Sequence, residues 1–450
     1  MPFRVVEELL TEVSTELEEY AVTLMSAALH GVRAGAKPDR VTWEQVYRLA
    51  DRHSILPMIL PALPDGALAS GGMPAELAER WRHSADMTLY QQVSYDIERE
   101  AITADLRKAG LSWMPLKGIM VAGYYPQPGM RSMSDQDIVV GYVEPDGAGG
   151  WRPRGDGADA GGAGEGRKGW ARKADEHVDR IMKAHGYEAA STVGRDSSYF
   201  KPPLHFEIHR SLISAAEVAA GSAKTAEVDY YANPWRLATC KGVPPCEFRF
   251  GVRDEYVFHI DHMSKHYRGS GFGLRFLADE YLYCVRFPEE VGSEYVAEQL
   301  GYLGLGGFER AVRELSVALM EHPGSWRSLV GPEVRELFGD VLSGGIYGSM
   351  ERKIARTMGR EQGLLATEPE GAGSRSATPH GRVPRFVDYL WRRLFPPRAI
   401  VETYYPTWSN PLARLLLPLH RAALALREHP KRLAQEIVLA WRQGRNGRGR

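Results

Sequence analysis

The chain has 450 residues, enough for two or three packed units, and its 44% hydrophobic content supplies an ample core, which excludes a disordered protein. Lys and Arg number 56 against 57 Asp and Glu, for a net charge of −1. No global field therefore draws the chain to nucleic acid or to an anionic membrane, and any nucleic-acid role would be local.

Residues 1–110 read as a helical region. Val6, Leu9, Leu10, Val13 and Leu17 recur at three- and four-residue spacing. Val5 to Tyr20 mixes apolar residues with glutamates and lacks the basic start and apolar block of a signal peptide. A long helix is predicted from Glu76 to Lys108, with Gly110 as its stop. The pattern then changes. Leu111 to Leu116 reads as a buried strand, Ile119 to Tyr124 as a short helix, and Ser134 to Val140 as a second strand.

That second strand carries Asp135 and Asp137. Asp-x-Asp triplets are common in solvated turns, but here Ile138, Val139 and Val140 follow, a β-branched run that favours a strand. Side chains two apart on a strand share a face, so both carboxylates are expected to grip one cation. Oxygen-only ligands of this kind suit Mg²⁺ or Mn²⁺ carrying the phosphates of a substrate. Between Gly141 and Trp170 lie eleven glycines in thirty residues, which reads as a flexible insertion. Ala171 to His185 is a predicted helix, and Ser198 to Phe200 and Leu204 to Ile208 are predicted strands. The last of these alternates polar and apolar residues, presenting His205, Glu207 and His209 on one face. Glu207 is the candidate third carboxylate of a two-metal site.

Lys117-Gly118, Tyr124-Tyr125-Pro126, Arg131 through Ser134 to Asp135-x-Asp137, and Glu207 in a later strand resemble the uncharacterised bacterial nucleotidyltransferase family of the DNA polymerase β superfamily. Trp43 to Pro57, His262 to Tyr283 and residues 394–418 are similar to its flanking segments, so the resemblance covers most of the chain. It implies an α+β fold, with a small mixed-sheet core flanked by N-terminal and C-terminal helical regions. It also implies transfer of a nucleoside monophosphate from an NTP to a hydroxyl acceptor, with release of pyrophosphate. Asp135, Asp137 and Glu207 would be catalytic and hold Mg²⁺ or Mn²⁺, while Lys117, Gly118, Arg131 and Ser134 would meet the nucleotide. One departure stands out. The wider superfamily places Gly-Ser or Gly-Gly before its aspartates, whereas Ile119 follows Gly118 here, leaving Lys117 or Ser134 to replace the missing hydroxyl.

After residue 212 the chain reads as largely helical, with predicted helices from Asp254 to Tyr267 and from Gly273 to Arg286. The first carries His259, His262, Lys265 and His266. Lys265 is expected to reach the triphosphate from this helical side, with His262 or His266 as further candidates. Cys240, Cys246 and Cys284 lack the spacing of zinc ligands or a disulfide framework and read as reduced thiols. Glu361 to Pro384 is a polar linker, Leu412 to Leu426 an amphipathic helix interrupted by Pro418, and RQGRNGRGR a basic tail. The expected organisation is a helical region at 1–110, a core at 111–212 with its insertion at 141–170, a helical domain at 213–358, a linker at 359–386, and a C-terminal segment at 387–450. No apolar run reaches the roughly 18–20 residues of a membrane-spanning helix, and a cytoplasmic location is expected. Two rival functions share the Asp-x-Asp signal: a glycosyltransferase, and a degenerate nucleotide-sensing or protein-binding module. Residues ahead of the motif read as helices, against the larger α/β unit that a glycosyltransferase carries there. The acceptor is left open among small molecules, peptides, proteins and an RNA end.

Overall fold

A computed structural model of the chain describes residues 15–69, 72–156, 166–191, 196–213, 225–269 and 271–345, together with scattered positions beyond 390. The fold is α+β, a small mixed sheet among flanking helices. At the N-terminal side lie α1 (Thr15–Leu29), α2 (Trp43–Arg52) and α3 (Leu56–Ile59). A capping box starts α2: the Thr42 hydroxyl accepts from the Gln45 amide, and the Gln45 side chain accepts from the Thr42 amide.

α4 (Ala75–Lys108) has 34 residues and spans about 50 Å at 1.5 Å per residue. Its buried side chains fall into two groups. Leu77, Ala78 and Trp81 pack with the N-terminal helices, whereas Tyr95, Ile102 and Leu106 pack under the sheet. One helix therefore braces both units. It ends at Gly110, whose φ of +78° suits the residue that terminates a helix.

β1 (Ser112–Pro115), the short α5 (Gly118–Ala122) and β2 (Gln136–Gly141) follow, then a hairpin of β3 (Val143–Pro145) and β4 (Trp151–Pro153). α6 (Arg167–Ala184) returns the chain to β5 (Glu188–Ser191), β6 (Asp196–Lys201) and β7 (Leu204–His209). The strand order is β1-β2-β7-β6-β5, antiparallel except for β2 beside β7. Strand alternation sorts the side chains between two cores. Trp113, Ile138, Val140, Phe206 and Ile208 meet α4 and α6 on one face, while Met114 and Val139 join the larger core on the other. The odd-numbered polar residues of β2 and β7 share that second face.

The C-terminal body contains α7 (Thr225–Tyr230), the paired strands β8 (Ala238–Cys240) and β9 (Phe248–Phe250), α8 (Val252–Arg268) and α9 (Leu274–Arg286). It continues with α10 (Pro288–Val291), α11 (Glu294–Tyr302), α12 (Gly306–Glu321), α13 (Trp326–Leu329) and α14 (Pro332–Gly344). Two sequence expectations need correction. The β8–β9 pair interrupts a region read as helical, because each strand is only three residues long. The glycine-rich insertion is also not all loop: residues 143–153 form the hairpin, whose turn is closed by Asp146 Oδ1 accepting from the amides of Ala148 and Gly150, each at 2.8 Å. Trp151 anchors it against Phe248 at 5.6 Å. Averaging composition over thirty residues concealed this local turn. Residues 157–165 lie outside the described residues, as do 1–14, the 361–384 linker, most of the 412–426 segment and the basic tail.

Candidate active site

Just past β1 the chain turns sharply into α5 at Lys117. Its φ of +51° and ψ of −120° lie in a region that a β-carbon disfavours, at a cost on the order of 1–3 kcal/mol. Glycine would relax this turn, so the lysine is there for its side chain. Lys117 Nζ donates to Asp137 Oδ1 over 2.6 Å, and the Leu116 amide donates to the Asp137 carbonyl at 3.0 Å. Main chain and side chain together dock the turn on β2. The next residue is glycine for a steric reason: a β-carbon on Gly118 would lie 2.6 Å from Arg131 Nη1.

Asp137 is the second residue of β2 and stands directly beside Glu207 in the parallel register. Asp135 precedes the strand, so the predicted Ser134 to Val140 segment is corrected to Gln136–Gly141. Ser134 and Asp135 belong to the approach, which α4 holds from beneath. Tyr95 Oη donates to the Ser134 carbonyl at 3.2 Å and accepts from the His205 amide at 3.0 Å, while Arg99 donates to Gln136 Oε1 at 2.7 Å. All three carboxylates line one cavity of about 540 Å³, together with Lys117, Gly118, Arg131 and Ser134.

Their electrostatics are unequal. Burial raises the Asp135 carboxyl, the Asp137 charge adds to this, and Lys117 opposes it. Glu207 is raised similarly, first by burial and then by both aspartates. Asp137 goes the other way: burial opposes its ionisation, but Lys117 and His209, whose Nε2 is 2.6 Å from the same Oδ1, hold it well below the carboxylate range. Burial also acts against the Lys117 charge and is outweighed by Asp137.

The opposite wall comes from α8 and α9. His262 and His266 line it with their Nε2 atoms 3.1 Å apart, and burial pushes His266 down to about 4 and His262 further still. Arg275 lines it from the start of α9, its Nη1 donating to the Ser132 carbonyl at 2.5 Å. It has no carboxylate partner among the described residues, and its Nε is buried without a hydrogen bond. Arg131, by contrast, is committed: Nε and Nη2 donate to the two oxygens of Asp279 at 2.9 and 2.8 Å, and Tyr125 donates to the same carboxylate at 2.7 Å. Lys265 is not among the cavity-lining residues. It pairs with Asp261 at 2.8 Å and Glu227 at 3.1 Å, so of the α8 candidates His262 and His266 line the cavity and Lys265 does not.

The sequence profile of a family described as uncharacterised nucleotidyltransferase matches residues 39–143 and 171–321, more than half of the chain. The chain belongs to this nucleotidyltransferase family. The matched segments contain Lys117, Asp135, Asp137, Glu207 and Arg275, while the gap between them coincides with most of the glycine-rich insertion. No match was found among curated proteins or among solved structures.

This nucleotidyltransferase carries acidic groups fit for a cation. Asp135, His205 and Glu207 place ligand atoms within 4.8 Å of one another, as do Asp137, Glu207 and His209, with Glu207 shared. One ammonium, Lys117, lies among the three carboxylates, and burial first, then the neighbouring carboxylates, raises the pKa of Asp135 and Glu207. Sequence reasoning missed Tyr95, Arg99 and Arg275. Arg275 had a signal, an arginine at the second position of a helix after a Gly-x-Gly turn; Tyr95 and Arg99 had none, since only the fold brings α4 beneath the approach.

Proposed function

We propose that this chain transfers a nucleoside monophosphate from an NTP to a hydroxyl acceptor and releases pyrophosphate, as expected of the DNA polymerase β superfamily. The observation that carries the reading is the meeting of Asp135, Asp137 and Glu207 in one cavity whose far wall holds Arg275, an arginine without a carboxylate partner among the described residues. Family membership supports an NTP as donor.

Asp135, Asp137 and Glu207 would hold Mg²⁺ or Mn²⁺, which supplies charge neutralisation at the phosphates and activation of the attacking oxygen. Lys117, Gly118 and Ser134 border the phosphates on the sheet side, with Arg275, His262 and His266 opposite. Arg131 acts mainly through its Asp279 pair, which holds the approach to α9. The acceptor oxygen forms a bond to the α-phosphorus as the bond to the β-bridging oxygen breaks. Its proton passes to Glu207, the carboxylate set beside Asp137 in the parallel register. Arg275 and Lys117 offset the charge that builds on the departing pyrophosphate.

No helix among the described residues is long and apolar enough to cross a membrane. Isotope partition tests the chemistry. With a mixture of candidate hydroxyl acceptors, α-label is expected on the acceptor and γ-label in pyrophosphate. Movement of γ-label to the acceptor would mean a kinase, label retained in the NTP with sugar transfer a glycosyltransferase, and binding without label movement a sensor.

A further inference from the structure

We infer that Asp135, His205 and Glu207 form a nitrogen-containing cation site that selects Mn²⁺ over Mg²⁺. The inference rests on the metal-dependent reading above and adds a ligand, His205, that oxygen-based reasoning leaves out. The two candidate groups differ in a way that decides between them. In the group of Asp137, Glu207 and His209, Asp137 Oδ1 already accepts from Lys117 Nζ and His209 Nε2, both at 2.6 Å. That oxygen is taken up by internal partners.

The other group is open. His205 Nε2 is buried and has no hydrogen-bond partner among the described residues, and it lies 4.0 Å from Glu207 Oε1, too far for a hydrogen bond. Its ligand atom is nevertheless within 4.8 Å of those of Asp135 and Glu207. A buried orphan nitrogen costs free energy unless something binds it. The ring is fixed in place, stacked on Phe200 with centroids 4.3 Å apart and planes at 22°, while its backbone amide donates to Tyr95. The same tyrosine holds the Ser134 carbonyl, so one hydroxyl sets the positions of both His205 and the Asp135 approach. A neutral imidazole beside two carboxylates is a ligand set for a first-row transition ion. Mg²⁺ favours oxygen ligands and retained water.

The test uses the full chain with MnCl2 or MgCl2 alone, read by electron paramagnetic resonance. Free Mn²⁺ is counted from its solution spectrum with Mg²⁺ as competitor, and pulsed measurements detect ¹⁴N coupling from a bound imidazole. We expect Mn²⁺ to bind at least roughly tenfold more tightly than Mg²⁺, with ¹⁴N coupling that is lost in His205→Gln and kept in His209→Gln. His205→Asn replaces the glutamine variant if that variant does not fold. Coupling that persists in His205→Gln, or vanishes only in His209→Gln, overturns the assignment. Mn²⁺ that binds without ¹⁴N coupling and is released by Asp135→Asn overturns it too, yet leaves metal-dependent transfer standing. No Mn²⁺ binding in the parent chain, with or without ATP, defeats both readings.

Discussion

Lys117 and Asp137 are joined at 2.6 Å across the turn that opens the candidate site, and the lysine holds a left-handed backbone to make that contact. The pair serves as fixed charge compensation. It leaves Asp137 ionised and shifts the electrostatic deficit to Asp135 and Glu207, the two carboxylates that flank His205.

Replacing the lysine tests this division. Lys117→Met leaves Asp137 buried with His209 as its remaining close ionisable partner and is expected to cost about 3 kcal/mol, the scale for breaking a buried ion pair. Urea denaturation without metal measures the loss. Stabilisation by Mn²⁺ should be larger in the variant than in the parent, because a cation then replaces the missing ammonium. Equal metal stabilisation in both proteins would show that Lys117 plays no compensating part.

The aspartates should separate in the same way. Asp135→Asn removes a repelled charge, so stability without metal is expected to hold or rise slightly. Asp137→Asn strands the buried Lys117 ammonium and is expected to destabilise by a few kcal/mol. Both should abolish metal-dependent transfer. A matched pair of thermal melts in chelator distinguishes them, and identical shifts would contradict the asymmetry.

Much of this site was legible because its residues sit close together in sequence. The β-branched run after Asp137 marked β2, and the alternation of Leu204 to His209 put Glu207 and its histidines on one face. For the three carboxylates the structure adds the register that sets Glu207 beside Asp137 and places Asp135 just ahead of the strand. What escaped was long-range. Arg275 belongs to the site because α9 packs across the cavity, and Lys265 is diverted by Asp261, four residues earlier on the same helix, and by Glu227. Both lysine and histidine on α8 had suitable chemistry, but only the packing showed that His262 and His266 line the cavity while Lys265 turns to Asp261 and Glu227. Gly118 was visible as a motif residue, while its reason, the approach of Arg131 Nη1, needed coordinates.

Glu207→Gln should separate chemistry from binding. The amide cannot accept the acceptor's proton, so transfer is expected to fall roughly 10²–10⁴-fold, while NTP affinity stays within a few-fold. Rapid-quench turnover and equilibrium titration of a fluorescent NTP measure the two quantities. Affinity lost as fully as in Asp137→Asn would assign Glu207 to binding alone.

His53 supplies a pH dependence away from the carboxylates. It is fully buried between α9 and α14, its Nδ1 accepting from the Leu274 amide and its Nε2 donating to the Leu342 carbonyl, each at 3.2 Å. Accepting at Nδ1 requires the neutral ring, so protonation would break the Leu274 bond. Burial, reinforced by the Arg52 charge, lowers its pKa to about 3, whereas the unfolded chain titrates near 6.5. Between these values the unfolded state binds a proton that the native state refuses, so stability must fall as pH falls through that window, by up to about 1.4 kcal/mol per pH unit. As pH rises above about 6.5 the slope from this residue fades away. From about pH 7 to about pH 5.5 the His53 share is about 1 kcal/mol. His53→Asn is expected to be less stable at neutral pH and to lack that share of the slope. Urea midpoints for both proteins at the two pH values supply the comparison, and parallel pH profiles would show that the native state protonates this histidine after all.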